Sequence, residues 1–358
     1  MKTILLTINF WNGVGGVERV IVNLANTLVK RGFRVIILSL FPDRILTTQY
    51  ALDERVEKHF LAAVDTRSFS FWKALLAKIK VFFALRKFIQ QHQIDFVIKN
   101  EFFIPPLFFR LNRLTTCNLF HSCYDYFSFT LRKRINLWGA NYNVILSSKE
   151  LARWQRIFAH IVVIPNMFTP LKQVHDIKKS NKVIAIGHLI ANKGFERLIR
   201  CYLPLTEKFP NWQLVIIGAG EDEKKLQTLI SKNGVEQQIM IQPPTNNIEE
   251  QYAASSICVL SSYLEGFPMI LVEAMSFGVP CVAFDITTGP NDIIQDGHNG
   301  LLVPNGDEVA MTHALARLMN DLQLRQTMGQ QARLSVERFS EDAIINKWLQ
   351  LINPKIDE

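Results

Sequence analysis

Residues 261–275 read SSYLEGFPMILVEAM. An apolar run at 257–262 leads into this segment and helical periodicity starts at 269, so the segment predicts a strand, a turn and a helix. Glu265 then stands in the turn at the carboxyl end of the strand, and Glu273 lies about one turn into the helix. Open parallel sheets bind ligands at that edge. We therefore expect a ligand site here, where both carboxylates accept hydrogen bonds from hydroxyl groups.

The start of this helix offers a second kind of ligand group. Its first N–H groups lack intrahelical acceptors, and the helix dipole favours an anion beside them. The N–H groups of Phe267, Met269 and Ile270 are therefore predicted to face an anion bound between the two glutamates. An ordinary helix with solvated or capping glutamates is the alternative interpretation.

The alternation of short apolar strands and helices extends along the whole chain. Strands are predicted at 2–8, 33–40, 95–98, 117–120, 144–147, 161–164, 182–187, 213–218, 257–262 and 280–284, and helices at 18–31, 194–208, 221–232, 269–277 and 340–352. This pattern is typical of α/β proteins with parallel sheets and crossover helices. Because turn-rich residues separate two such series, we place one domain at 1–175, a second at 176–339 and a C-terminal helix in 340–358. That helix could pack on either domain.

The composition is that of a globular chain, since 48% of the 358 residues are hydrophobic and 20% are charged. The five cysteines are scattered without a C-x-x-C pair. This argues against a disulfide framework or a zinc site and for a reducing compartment. No uninterrupted apolar stretch of 18 residues occurs, so no membrane-spanning helix is expected.

A second strand–turn–helix junction has the sequence GHLIANKGF at 187–195. An ammonium group at a helix N-terminus suits a diphosphate, because its charge and the helix dipole both favour the anion. Lys193 is therefore predicted to bind a phosphorylated ligand. His188 is a weaker candidate, since a neutral imidazole carries no fixed charge. An ordinary surface position remains the alternative for both side chains.

Three further stretches are candidates of lower specificity. Gly15 and Gly16 follow the first predicted strand, where glycines let a backbone approach a ligand closely. His121 follows an apolar run that would end at the same sheet edge. A glycine turn at 218–220 occupies the equivalent place after a strand of the second series. A tight turn, a structural histidine and simple packing are the respective alternatives.

Together these motifs resemble those of glycosyltransferase family 4, the retaining enzymes of the GT-B fold. The spacing from Glu265 to Glu273 resembles the family's E-x7-E motif, and the sequence around 278–304 continues the likeness. The family usually has Gly-Arg-Leu-x-x-x-Lys-Gly where this chain has His188 and Lys193. The histidine is thus a departure from the family pattern.

The resemblance implies two Rossmann-like domains facing across a cleft and a role for each candidate residue. Lys193 and the position of His188 would hold the donor diphosphate, Glu265 would orient the sugar, and Glu273 would bind the ribose. Gly15 and Gly16 would face the donor phosphates and the acceptor. Glu265 and His121 would be the catalytic residues.

The resemblance also implies the substrates. It is closest to members that transfer galactose, N-acetylgalactosamine or glucose, which suggests a UDP-linked donor. The acceptor would be a glycan or a lipid-linked sugar in surface polysaccharide or lipopolysaccharide synthesis. The sequence contains no D-x-D motif and no cluster with metal-ligand spacing. We therefore expect a metal-independent enzyme without a cofactor.

The charge is distributed unevenly. Residues 1–175 contain 24 basic and 10 acidic side chains, whereas the remainder contains 16 and 22. Residues 71–89 combine basic and aromatic side chains, which predicts an amphipathic helix at an anionic membrane surface. Peripheral attachment at the cytoplasmic face of the inner membrane is the expected location, and a buried helix with a solvated basic face is the alternative. No nucleic-acid recognition motif occurs.

Two other functions remain open at this point. A nucleotide-binding or membrane-associated scaffold that has lost turnover is favoured only by His188 in place of the usual cation. A dehydrogenase lacks the dinucleotide fingerprint, because position 18 in the first glycine-rich turn is Glu18.

Overall fold

The computed structural model describes residues 1–8, 15–39, 50–60, 83–100, 114–126, 139–168 and 180–354. Their strands form two sheets, and all the strand pairs are parallel. The first sheet contains β1 (Thr3–Ile8), β2 (Arg34–Ser39), β3 (Glu57–Phe60), β4 (Phe96–Lys99), β5 (Thr115–Leu119), β6 (Tyr142–Ile145) and β7 (Ile161–Val163). The second contains β8 (Lys182–Ile186), β9 (Gln213–Ile217), β10 (Ile239–Gln242), β11 (Ile257–Leu260), β12 (Cys281–Asp285) and β13 (Gly300–Pro304).

Helices connect most of these strands. They span Gly16–Lys30, 83–92, Leu151–Gln155, Phe195–Lys208, Glu223–Lys232, Ile248–Ala253, Met269–Ser276, Pro290–Ile293, Glu308–Asn320, Leu322–Ser335 and Glu341–Ile352. Short 3-10 turns lie at Tyr124–Tyr126, Ser148–Glu150, Ala191–Lys193 and Val336–Phe339. The predicted α/β architecture with two parallel sheets is confirmed.

The order of the strands identifies the ligand-binding edge of each sheet. The first sheet has the order β3-β2-β1-β4-β5-β6-β7 and the second β10-β9-β8-β11-β12-β13. The direction of winding therefore reverses between β1 and β4 and again between β8 and β11. Parallel sheets of this kind bind ligands beyond the carboxyl ends of the strands at such switch points. The loops after β1, β8 and β11 carry Gly15, Lys193 and Glu265, respectively.

The C-terminal helix returns to the first half of the chain. Lys30 and Arg31, at the end of helix Gly16–Lys30, form ion pairs with Glu341 and Asp342. The ammonium group of Lys2 donates to the carbonyl of Ile352 at 2.9 Å. Helix Glu341–Ile352 thus packs on the N-terminal half, which decides between the two placements that the sequence left open.

The loops after β8 and β11 are bonded directly to each other. The N–H of Tyr263 donates to the carbonyl of Asn192 at 2.8 Å, and the hydroxyl of Ser261 donates to the carbonyl of Lys193 at 3.0 Å. Gly194 lies between them with φ +66°, and a Cβ there would stand 2.1 Å from the carbonyl oxygen of Ser261. Only glycine fits, because the backbone is left-handed and the neighbouring backbone is too close.

We expect Gly194→Ala to lower the free energy of unfolding more than the matched variant Gly234→Ala. Gly234 has nearly the same left-handed backbone, φ +64°, but a Cβ there meets nothing within 4 Å. Both variants incur about 1–2 kcal/mol of left-handed strain. Gly194→Ala should lose roughly 2 kcal/mol more, since backbone must move to admit the methyl group. Urea unfolding of the full chain measures both, and equal losses would contradict the contact.

Candidate active site

Lys193 and Glu265 form the polar centre of the second half. The ammonium nitrogen of Lys193 lies 2.7 Å from Oε1 of Glu265, and their side chains are 26% and 12% exposed. The hydroxyl of Ser262 donates to the same Oε1 at 2.6 Å. Two residues 72 positions apart in sequence are therefore brought together at the end of two neighbouring strands. The arrangement places a fixed cation and an oriented carboxylate side by side at the sheet edge.

A buried arginine that the sequence analysis did not identify fixes this turn. Arg197, 2% exposed, donates to the carbonyl of Ser261 at 2.6 Å and also to that of Ser262. Its guanidinium lies between the rings of Tyr263 and Phe284, 3.9 and 4.0 Å from their centroids. The sequence could have indicated it, because Arg197 stands among the apolar residues of one face of helix Phe195–Lys208. Arg197 thus holds the segment that carries Glu265.

Glu273 is buried and already has two partners. Arg19, from the first half of the chain, donates to its Oε1 at 2.5 Å, and the Tyr252 hydroxyl donates to its Oε2 at 2.9 Å. Burial raises the pKa of Glu273 above its ordinary value, although Arg19 and Tyr252 oppose this by stabilising the carboxylate. Burial also raises the pKa of Tyr252, so its hydroxyl remains a donor. Neither partner was predicted from the sequence, although Arg19 lies only three residues after Gly16.

The residues at the start of helix Met269–Ser276 differ in their surroundings. The side chain of Phe267 is 6% exposed and packs edge-on against Phe339, with ring centroids 5.1 Å apart. Met269 and Ile270 are half-buried and form the first turn of the helix, after Pro268 at the N-cap. A proline has no N–H to offer, so the donors of this helix start are the main-chain groups of Met269 and Ile270.

His121 lies across from this turn, on the loop after β5. A Cβ on Gly266 would stand 2.4 Å from the main-chain oxygen of His121, so the two halves touch here backbone to backbone. The ring nitrogen Nε2 is 2.9 Å from Oδ1 of Asn100, which the sequence analysis did not select. Burial lowers the pKa of His121 to about 4, so the imidazole is neutral at physiological pH. His121 and Glu265 are therefore brought to the same interface.

The remaining candidates have fewer contacts. Gly15 is the N-cap of helix Gly16–Lys30, and Gly16 is exposed with open space where a Cβ would lie. His188 is exposed, and the described residues offer its side chain no hydrogen bond or ion pair. The structure thus does not attach His188 to the Lys193–Glu265 pair.

The glycine turn after β9 has a packing role. A Cβ on Gly218 would stand 1.9 Å from the carbonyl oxygen of Gly187, and one on Gly220 would stand 2.4 Å from that of Leu189. The N–H of Leu189 donates to the carbonyl of Ala219 at 2.9 Å. Close contact between two loops therefore explains both glycines.

A separate polar cluster lies at the opposite edge of the first sheet. Glu57, His59 and His92 bring potential metal-ligating atoms together within the described part of the chain. Arg34 binds both oxygens of Glu57, at 2.6 and 2.9 Å, and lowers the pKa of that carboxyl. Arg34 and Glu57 are the first residues of β2 and β3. The cluster therefore lies at the amino ends of these strands, whereas His121 follows the carboxyl end of β5. The guanidinium already neutralises the carboxylate there.

Only part of the predicted membrane segment lies within the described residues, since 71–82 are outside them. In the helix at 83–92, Leu85 and Ile89 are buried in an apolar cluster with strands of the first sheet. Phe83 is 61% exposed, and Arg86 and Lys87 are exposed as well. Ile89 is therefore a core residue, whereas the basic side chains face outward. None of the described helices is both long and apolar enough to cross a membrane.

Comparison with known proteins agrees with this geometry. The family described as Glycosyl transferases group 1 matches residues 167–335, and Glycosyltransferase Family 4 matches residues 14–169. An uncharacterized glycosyltransferase of Haemophilus influenzae is 30% identical over 360 residues, which cover 97% of this chain and 99% of the relative.

Two other similar proteins have more specific names. A Campylobacter jejuni relative, the GalNAc-alpha-(1->4)-GalNAc-alpha-(1->3)-diNAcBac-PP-undecaprenol alpha-1,4-N-acetyl-D-galactosaminyltransferase, is 25% identical over 94% of this chain and 95% of its own length. The crystal structure of Anabaena HepE in complex with UDP superposes with a TM-score of 0.79 at 20% identity, covering 99% of this chain and all of that one. The chain therefore belongs to glycosyltransferase family 4 and is a sugar-transferring enzyme with the GT-B fold.

Proposed function

We propose that this enzyme transfers a hexose or N-acetylhexosamine from a UDP-linked donor to a glycan or lipid-linked acceptor, with retention of configuration. The observation that carries the proposal is the Lys193–Glu265 pair at a sheet switch point, next to the place where Gly266 meets the main chain of His121 from the other half. The UDP complex of HepE supports the nucleotide, and the undecaprenol-linked acceptor in the name of the Campylobacter relative supports the acceptor class. Surface polysaccharide or lipopolysaccharide synthesis is the corresponding process.

In this proposal Lys193 binds the donor diphosphate. An ammonium group has three donors, so Lys193 can keep Glu265 as a partner while it binds a phosphate oxygen. The main-chain N–H groups of Met269 and Ile270, and that of Phe267 beside them, add positive potential from the helix start. These groups stabilise the charge that develops on the leaving diphosphate. We assign His188 at most an accessory role, because its side chain is exposed and lacks a fixed charge.

Glu265 orients the sugar. Within the described residues both hydrogen bonds to this carboxylate reach Oε1, from Lys193 and Ser262. The remaining oxygen is assigned to a sugar hydroxyl. A carboxylate held by these two hydrogen bonds contributes to catalysis by orienting the sugar. His121 contributes an uncharged ring at the other side of the same interface.

Glu273 is proposed to bind the ribose diol. Arg19 and Tyr252 occupy one position on each oxygen, but an ionised carboxylate accepts about four hydrogen bonds. The diol can therefore bind without breaking either contact. Gly15 and Gly16 begin the helix that carries Arg19, and we assign their backbone to the donor phosphates and the acceptor.

Retention follows from departure and attack on the same face of the sugar. The bond from the anomeric carbon to the diphosphate oxygen breaks, and the acceptor oxygen bonds to that carbon on the face just vacated. The proton of the acceptor hydroxyl passes to the departing diphosphate, which leaves as the nucleotide. In this scheme the protein supplies position and electrostatic stabilisation rather than a covalent nucleophile.

A non-catalytic nucleotide-binding or membrane-associated scaffold is the second candidate. The exposed His188 in the position of the usual arginine is the observation that favours it. Turnover of a panel of nucleotide sugars, measured as release of nucleoside diphosphate with membrane extract as acceptor, distinguishes the two. Binding of a donor without its consumption would favour the scaffold.

We expect Lys193→Ala and Glu265→Gln each to lower the transfer rate about a hundredfold. Each variant removes a charged contact in a partly buried site, which corresponds to a loss on the order of 3 kcal/mol in the transition state. The matched controls Lys30→Ala and Glu341→Gln remove an exposed Lys–Glu pair at the far end of helix Gly16–Lys30 and should leave the rate unchanged. Near-normal turnover in either site variant would contradict the site assignment.

Transfer should survive an excess of EDTA. The proposal assigns neutralisation of the diphosphate to Lys193 and the helix start, so no divalent cation is needed for that step. The measurement is the initial rate after dialysis against chelator, with and without added Mg²⁺ or Mn²⁺. A rate that disappears with EDTA and returns with the metal would overturn the proposed role of Lys193.

The protein should bind anionic vesicles in a salt-sensitive manner through the basic N-terminal half. Each basic residue near an anionic surface contributes about 1 kcal/mol, screened over roughly 8–10 Å at ordinary salt. Reversing the charge of the exposed Arg86 and Lys87 to Glu should weaken co-sedimentation with the vesicles. The same change at the exposed Lys224 and Lys232 of the second half is the control. Equal behaviour of the two double variants would count against a membrane-binding surface at 71–89.

A further inference from the structure

Asn100 lies at the carboxyl end of β4, on one side of the switch point of the first sheet, and is 8% exposed. Its amide nitrogen Nδ2 donates to the carbonyl oxygen of Thr7 on β1 at 2.9 Å. A carbonyl oxygen can only accept, so this contact sets which end of the amide is the nitrogen. The amide oxygen Oδ1 therefore faces His121, whose Nε2 lies 2.9 Å away.

The fixed amide determines the protonation of the imidazole. Because Oδ1 of Asn100 accepts, Nε2 of His121 must carry the proton in this contact. A neutral imidazole has one N–H, so the other nitrogen, Nδ1, then keeps its lone pair. Nδ1 is buried and has no hydrogen-bond partner among the described residues. A buried acceptor without a partner destabilises the folded protein, and a hydrogen bond from a ligand hydroxyl would offset this loss.

We propose that Asn100 is a positioning residue that holds His121 in the Nε2–H tautomer, so that Nδ1 accepts a hydrogen bond from a hydroxyl of the bound donor sugar. The last step of this inference rests on the proposed function, whereas the tautomer itself is a property of the unliganded protein. Asn100 acts through His121 and does not touch the substrate.

The surroundings of the ring favour the neutral form. Burial alone lowers the pKa of His121, and no ion pair to the ring occurs within the described part of the chain. The charged or titratable groups on the neighbouring loops and strand ends are Lys99 beside Asn100, Cys123 and Asp125 on its own loop, Glu150 after β6, Glu18 and Arg19 after β1, and Lys193 and Glu265 in the second half. Glu150 is bonded to the N–H of Tyr124 and the indole of Trp154, so its carboxylate is directed elsewhere.

The first test is nitrogen-15 NMR of the full chain with labelled histidine, without donor. His121→Gln identifies the signals of His121 by their loss. We expect the wild-type spectrum to show Nε2 protonated and Nδ1 unprotonated across about pH 5.5–8, since the ring does not titrate there. Observation of the Nδ1–H tautomer, or of an imidazolium at neutral pH, would overturn the inference. This result does not depend on any transfer activity.

The second test changes the acceptor. In Asn100→Asp a carboxylate receives the Nε2 proton, which favours the imidazolium and raises the folded-state pKa of His121. Below that raised pKa, Nδ1 carries a proton and no longer accepts, so the rate should fall roughly tenfold per pH unit as the pH decreases and recover at higher pH. The wild-type rate should show no such step. A merely structural loss would lower the rate equally at every pH.

Asn118→Asp is the matched control, because it also buries a new carboxylate, on the neighbouring strand β5, where the native amide donates to Asn143. It should not introduce the pH step. Asn100→Ala, which removes the acceptor without adding charge, should populate the second tautomer in the NMR spectrum even if transfer is lost. An unchanged tautomer in Asn100→Ala, or a pH step in Asn118→Asp equal to that in Asn100→Asp, would overturn the role of Asn100.

The two tests separate failure of this inference from failure of the proposed function. If no nucleotide sugar is consumed but the Nε2–H tautomer depends on Asn100, the positioning role stands and the proposed function fails. If transfer occurs and Asn100→Asp leaves both the spectrum and the pH profile unchanged, only the positioning role fails.

Discussion

The contact between Gly266 and the main chain of His121 is the constraint on which the rest of the site depends. A side chain at 266 would place a carbon 2.4 Å from the carbonyl oxygen of His121, so the two turns can meet only as bare backbone. Glu265 directly precedes this glycine. The closeness of the catalytic candidates from the two halves is therefore a consequence of one missing side chain.

An ion pair and hydrogen bonds to a carboxylate reinforce this meeting of the halves. Arg19 reaches Glu273 from the first half, and Asp292 of the second half accepts from the hydroxyls of Ser147 and Ser148. Removing one partner of a buried pair leaves an uncompensated charge, which costs more than the pair gains. Glu273, with its carboxylate between Arg19 and Tyr252, therefore ties helix Met269–Ser276 to the first half of the chain. The Lys193–Glu265 pair, by contrast, lies within the second half and joins the loops after β8 and β11.

Three strands of the two sheets were not predicted from the sequence. β3, β10 and β13 each lie at an edge of a sheet. An edge strand is covered less completely, so its sequence need not carry the continuous apolar run of a central parallel strand, and β10 (IMIQ) and β13 (GLLVP) contain only three apolar residues in a row. β3 has the sequence EKHF with alternating exposure, which carries no strand signal by itself. The central strands, such as β1 and β11, are wholly buried, and their apolar runs predicted them within about two residues.

The sequence by itself determined the α/β class, the two parallel sheets and the positions of Lys193 and Glu265 at strand ends, because these follow from local periodicity and from the polarity of parallel sheets. It left open the side on which the last helix packs and the hydrogen-bond partner of His121. Tertiary structure decided these points, since they depend on residues far apart in the chain: Lys30 with Glu341, Asn100 with His121, and Arg19 with Glu273. The role of Arg197 was also decided by the tertiary structure. Its partners are the main-chain carbonyls of Ser261 and Ser262, and every residue type has such a carbonyl, so the sequence does not indicate the contact.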